Sequence, residues 1–153
     1  MKYYLFYFLI DACAQGLMEL SFVTGNIHKV QEIKNILSDI IINHVDIDVK
    51  EIQGTIDEIA IEKAKEAARL LERNVLVEDT SLAFNAFGSS LPGPYIKHFV
   101  KEIGTSKIPL LLSCFKDKGA TAICTFAFCK YPEMRVSIFK GKCEVITGLS
   151  RGK

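Results

Sequence analysis

The chain has 153 residues, 49% of them hydrophobic and 24% charged, which suits one globular domain with a sizeable core. A net charge of +1 gives no electrostatic case for general binding to nucleic acid or to an anionic membrane. No apolar run reaches the roughly 18 residues of a membrane-spanning helix.

At the N-terminus, Lys2 precedes the apolar and aromatic run Tyr3–Ile10, and Ala12-Cys13-Ala14 follows. This has the outline of a signal peptide, although Asp11 interrupts it. The preferred reading takes Met18 as the natural start, with residues 1–17 as an N-terminal extension and 18–153 as the domain. Leu20–Thr24 then reads as the first strand, Thr24-Gly25-Asn26 as a turn and Ile27–Leu37 as a helix, with Ile27, Val30, Ile33 and Leu37 near helical spacing. Ile40–Asp48 is a second strand region rich in β-branched residues. Thr55-Ile56-Asp57-Glu58 is a capping-box signature. The helix it opens runs to about Arg73, with Ala60, Ala64, Ala67, Ala68 and Leu71 on one stripe.

Val75-Leu76-Val77 reads as a strand buried on both faces, closing on the carboxylates Glu78 and Asp79. Pro92-Gly93-Pro94 ends the loop that follows, and Pro94 suits a first helical position. Tyr95–Ile103 and Ile108–Phe115 are predicted helices. Ala120–Phe128, Val136–Lys140 and Cys143–Thr147 are predicted strands, the first two forming a hairpin around Tyr131-Pro132-Glu133. The order β-α-β-α-β-α-α-β-β-β argues for an α/β protein with a mixed sheet. Cys13, Cys114, Cys124, Cys129 and Cys143 are odd in number and lack C-x-x-C spacing. Reduced thiols in the cytoplasm are a simpler reading than a zinc site or a disulfide framework.

Carboxylates at the C-terminal end of a buried strand suggest a divalent cation and a phosphate-bearing ligand. Glu78 and Asp79 reach one site together only if the strand ends there, because neighbours on a strand point opposite ways. One would then hold metal while the other activates water. The alternative is that Asp79 caps a turn and Glu78 pairs with a lysine. Thr24-Gly25-Asn26 with Lys29 at a helix N-terminus would cradle phosphates, although a plain strand–turn–helix connection looks the same. Glu51 either joins a Mg2+ site or is a solvated loop acid. Lys63 sits at the edge of the apolar stripe, beside Ile56, Ile59 and Ala67, and either snorkels or serves a ligand. Lys97 lies in a first helical turn, where the macrodipole disfavours a cation, and is a candidate for meeting an anion. Phe84, Phe87, Tyr95 and Phe99 are core residues or, for one of them, a stacking surface for a base. His28, His44 and His98 are scattered and suggest no metal cluster.

Four ordered motifs resemble the inosine triphosphate pyrophosphatase family, its animal members most closely. They are Phe22-Val-Thr-Gly-Asn-Ile-His-Lys29, Glu51-Ile-Gln-Gly54, Val77-Glu-Asp-Thr80 and Leu91-Pro-Gly-Pro-Tyr-Ile-Lys97. Cys124-Thr-Phe-Ala127 and Phe139-Lys-Gly141 are similar as well. The resemblance implies an elongated α/β fold with two lobes around a nucleotide cleft, a homodimer, and Mg2+ with Mn2+ as a substitute. It implies hydrolysis of inosine, deoxyinosine and xanthosine triphosphates to the monophosphate and pyrophosphate. By position, Thr24, Gly25, Asn26, Ile27, His28 and Lys29 would bind the triphosphate, and Lys63, Asp79, Thr80 and Lys97 the nucleotide. Glu51 and Asp79 would bind metal, with Asp79 as base or metal ligand for attack of water on the α-phosphorus and Glu78 beside it. Two departures stand out. The loop Phe87-Gly-Ser-Ser-Leu91 is one residue longer than usual. The family's Phe-Gly-Trp-Asp and Ser-His-Arg base-holding motifs, which follow the position of Arg151-Gly-Lys153, are not in this sequence, which has no Trp. The expectation is a C-terminally truncated form with an incomplete second lobe and low activity. The alternatives are an inactive form that pairs with a full-length subunit, or an unstable product.

Overall fold

A computed structural model describes residues 20–37 and 40–148. The readings on the N-terminal extension, on Cys13 and on Arg151–Lys153 lie outside the described residues. The strands are β1 (Leu20–Val23), β2 (Ile42–Val45), β3 (Val75–Phe84), β4 (Pro92–Gly93), β5 (Gly119–Lys130) and β6 (Arg135–Ile146). The helices are α1 (Ile27–Ile36), α2 (Ile56–Leu71), α3 (Ile96–Ile103) and α4 (Ile108–Leu111), with short 3-10 turns at Asn85–Phe87 and Thr105–Lys107. The sheet order is β2-β1-β3-β5-β6, with β4 paired to β3. β1 runs parallel to both β2 and β3, while β4 is antiparallel to β3, so the sheet is mixed as expected.

The chain divides into two compact units. The first comprises 20–78 and 125–140, the second 79–124 and 141–148. In the first unit, α2 lays Ala60, Ala64, Ala67 and Ala68 on Val23, Val75, Val77, Ala127 and Cys129. Alanine combines high helix propensity with a small side chain, so the helix can form and lie close to the strands. Burial pushes the Cys129 thiol above its ordinary range, against the opposing pull of Lys65 and Arg69. In the second unit, Phe84, Leu112 and Ala120 pack with Phe87, Phe99 and Ile108. Phe84 meets Phe87 edge-on at 5.5 Å between centroids, and Phe87 meets Phe115 likewise at 5.7 Å. Three of the four flanking aromatics therefore belong to a core, while Tyr95 is exposed.

Several element boundaries differ from the sequence reading, among them β2, which is confined to Ile42–Val45. β3 does not stop at Glu78 but continues through Phe84, its second half pairing with β4. β6 is one strand instead of two, with Gly141 inside it. The second helix after the Pro-Gly-Pro loop is confined to Ile108–Leu111, and Pro94 lies in the turn before α3, not in the helix. The hairpin turn spans residues 131–134, where sequence placed it.

The capping box of α2 is complete. Glu58 Oε2 accepts from the Thr55 amide at 2.8 Å, and Thr55 Oγ1 accepts from the Glu58 amide at 3.3 Å. The Thr55 backbone and hydroxyl hydrogen bonds hold the Glu58 carboxyl below its ordinary range. A depressed carboxylate contributes stability above its unfolded pKa and loses it as pH falls through the folded one. The stability difference between the wild type and Glu58→Gln, read from urea midpoints, is therefore expected to shrink as pH is lowered through the acid range. A difference that is flat with pH would contradict this.

Candidate active site

The turn after β1 is built by local hydrogen bonds. Thr24 Oγ1 accepts from the Asn26 amide at 3.1 Å, and Asn26 Oδ1 accepts from the His28 amide at 3.0 Å, making Asn26 the N-cap of α1. The parallel register sets Phe22 opposite His44 and Val23 opposite Val45, so the end of β2 lies beside this turn. The Thr24 amide donates to the Val45 carbonyl at 3.1 Å. His44 Nε2 lies 2.8 Å from the Thr24 carbonyl, and the ring N–H donates there. A Cβ on Gly25 would stand 3.2 Å from Asp46 Oδ1, a close approach that favours glycine. The first-turn amides of Ile27 and Lys29 have no intrahelical acceptor, and the first turn carries no acid. Such a helix start can receive an anion.

Lys29 forms an ion pair with Glu78, whose residue is only 6% exposed. Oε2 of that buried carboxylate is thus met by an ammonium group. Lys63 lies at the edge of the α2 stripe, with its ammonium 3.5 Å from Glu51 Oε1. The Glu51 side chain is 61% exposed, so this pair contributes little stability. Two expected lysines and two expected acids are therefore paired within the first unit. Sequence reasoning names His44 only as one of three scattered histidines, and does not single out Asp46 or the ion pair of Asp57 with Lys140. The general signal for the first two was available, because parallel strands gather functional residues at their C-terminal ends.

In the second unit, Asp79 is half-buried and Thr80 is exposed on β3, while Lys97 is exposed in the first turn of α3. The antiparallel register Leu82↔Gly93 and Ala83↔Pro92 sends the chain after Gly93 back in the direction of Thr80 and Asp79. Gly93 has φ +59°, and a Cβ there would come within 2.5 Å of the Ser90 carbonyl, so glycine is required at this turn. Because β3 continues past the acidic pair, Glu78 and Asp79 occupy consecutive positions of one strand. The condition for both reaching one site, a strand ending at the pair, is not met.

Among the described residues, no group of three or more His, Cys, Asp or Glu is assembled as a metal cage. The exposed carboxylate of Glu51 in the first unit and the half-buried one of Asp79 in the second are each a hard oxygen donor. That chemistry fits Mg2+, which usually takes one or two carboxylates, keeps waters and uses the substrate's phosphates. Also among the described residues, no helix is long and apolar enough to cross a membrane.

A parallel strand, a glycine turn, a helix with a lysine in its first turn and a buried carboxylate on the neighbouring strand define an α/β protein of the kind that receives a phosphate-bearing ligand. The chain belongs to the Ham1 family, whose profile matches residues 20–152. It is 41% identical to the inosine triphosphate pyrophosphatase of Candida albicans (strain SC5314 / ATCC MYA-2876), over 87% of this chain and 75% of the relative. It is 46% identical to that of Yarrowia lipolytica (strain CLIB 122 / E 150), over 83% of this chain and 68% of the relative. Among solved structures, the Ham1 protein of Staphylococcus aureus superposes with a TM-score of 0.68 at 25% identity, covering 84% of this chain and 71% of that one. A HAM1 protein from Coxiella burnetii superposes with a TM-score of 0.74, covering 84% and 72%; at 23% identity this likeness bears on the fold alone.

Proposed function

We propose that the chain is a nucleoside-triphosphate pyrophosphatase. It hydrolyses inosine, deoxyinosine and xanthosine triphosphates to the monophosphate and pyrophosphate, and so removes deaminated purines from the nucleotide pool. The observation that carries this reading is the 41–46% identity to inosine triphosphate pyrophosphatases. The glycine turn and the paired lysines support it. In this reading Thr24, Gly25, Asn26, Ile27, His28 and Lys29 hold the triphosphate through first-turn amides and the Lys29 ammonium. Lys63, Thr80 and Lys97 bind the rest of the nucleotide. Glu51 and Asp79 would hold Mg2+, or Mn2+ in its place, which when bound neutralises phosphate charge.

The protein's own part is to orient the triphosphate and to place a base. Asp79 accepts the proton of the water that attacks the α-phosphorus, and the pyrophosphate leaves against the lysines. No covalent intermediate is needed, because positioning and charge neutralisation supply most of the acceleration. A cytoplasmic homodimer completes the reading. Incubation with inosine triphosphate and Mg2+ is expected to release inosine monophosphate and pyrophosphate in equal amounts. Release of orthophosphate and inosine diphosphate would overturn the proposal.

A further inference from the structure

We infer that Glu78 is a positioning residue for Lys29, and that its carboxylate neither ligates metal nor takes the proton from water. The inference rests on the pyrophosphatase reading and assigns a division of labour within it. Glu78 ends a run of four buried strand residues, Val75 to Glu78. Its side chain is 5% exposed and meets the ammonium of Lys29, whose side chain is 27% exposed. The lysine thus has one end of its reach fixed against a buried anion while it borders the solvent-open turn.

Three physical points favour an anchor. Lys29 stands in the first turn of α1, three residues after the N-cap Asn26, where the helix dipole disfavours a cation. The first turn has no acid of its own to offset this, and Glu78 supplies the charge from another element. A lysine also has a long, flexible stem, and an unanchored ammonium would wander over several ångströms. A buried carboxylate already committed to an ammonium is, in turn, poorly placed to coordinate a solvated cation. Asp79, half-buried on the next strand position, is the better candidate for metal and proton.

Removing Glu78 deletes a negative charge beside the phosphate turn, so ground-state binding of the triphosphate should not weaken. The loss falls on kcat, because Lys29 no longer waits where charge develops on the phosphates.

The test is the steady-state kinetics of inosine triphosphate hydrolysis by the 153-residue chain, with Lys29→Gln, Glu78→Gln, the double variant and Glu78→Asp, each with a melting curve. Glu78→Gln is expected to lower kcat roughly tenfold to a hundredfold, with KM unchanged or lower. The Mg2+ concentration for half-maximal rate should stay in place. The double variant should be no slower than Lys29→Gln alone, and Glu78→Asp should recover part of the rate. A rise of tenfold or more in the Mg2+ requirement, additive losses in the double variant, or an unchanged kcat would each overturn the inference. The double variant replaces both charges by amides that can hydrogen-bond each other, so the comparison survives if a single variant folds poorly. A wild-type chain that releases no pyrophosphate would instead sink the pyrophosphatase reading, an outcome distinct from the others.

Discussion

Asp79→Asn is expected to lower pyrophosphate release from inosine triphosphate by roughly 10²–10⁴-fold while leaving the fold in place. The side chain is half-buried on β3, at the first residue of the second unit, so an isosteric amide fills the same space. What the amide lacks is charge and basicity. It can neither take a proton from water nor offer a cation an ionised oxygen. Pyrophosphate release, read beside thermal melting, checks this. Activity within a few-fold of wild type in a folded Asp79→Asn protein would remove Asp79 from the chemistry. The neighbouring Glu78→Gln should behave differently, with a smaller loss that disappears in a Lys29 variant.

Lys29→Met should show the largest stability loss among the site variants. It removes the cation that meets a carboxylate only 5% exposed, and methionine offers that carboxylate nothing. Breaking a fully buried pair on one side costs roughly 3–5 kcal/mol. Lys29 itself is 27% exposed, so solvent reaches this pair and about 2–3 kcal/mol is the better figure. Adding Glu78→Gln to Lys29→Met removes the stranded charge. The double variant is therefore expected to be more stable than Lys29→Met alone, although it has lost one more charged group. Urea denaturation of the three proteins decides. If the double variant is less stable than the single, the burial of Glu78 is not what the pair compensates.

Much of the frame was legible because its signals are local. Val75-Leu76-Val77 announces a buried strand by composition, and the strand lies in the sheet core. Thr55 and Glu58 announce the start of α2 as a capping box, Thr55 accepting from the Glu58 amide and Glu58 from the Thr55 amide, while Asn26, which sequence places only in a turn, accepts from the His28 amide at the start of α1. What could not be read depends on partners far along the chain. Asp79-Thr80-Ser81 looks like the end of a strand because polar residues follow apolar ones. β3 continues there because its second half finds β4, and because Ser81, Ala83 and Phe84 are buried. Gly141 and Lys142 lie between two predicted strands, but both are within β6.

The candidate site divides along the same line. Thr24 to Lys29 could be read as one unit because turn, cap and helix start are contiguous. Pairing of Glu78 with a lysine is one of the two readings the sequence leaves open, and the structure shows that pair; that the lysine is Lys29 could not be read, because it required α1 and β3 to be packed together. The same holds for His44 and Asp46, which reach the glycine turn through the parallel pairing of β1 with β2. The roles of the remaining site residues rest on the resemblance to a known family. The structure adds which of them are paired within the first unit.

The most direct measurement is hydrolysis of inosine triphosphate in 18O-labelled water, at high protein concentration with Mg2+, followed by mass analysis of both products. Attack of water on the α-phosphorus predicts one labelled oxygen in inosine monophosphate and none in pyrophosphate. Label in pyrophosphate, or labelled orthophosphate beside inosine diphosphate, would contradict the account.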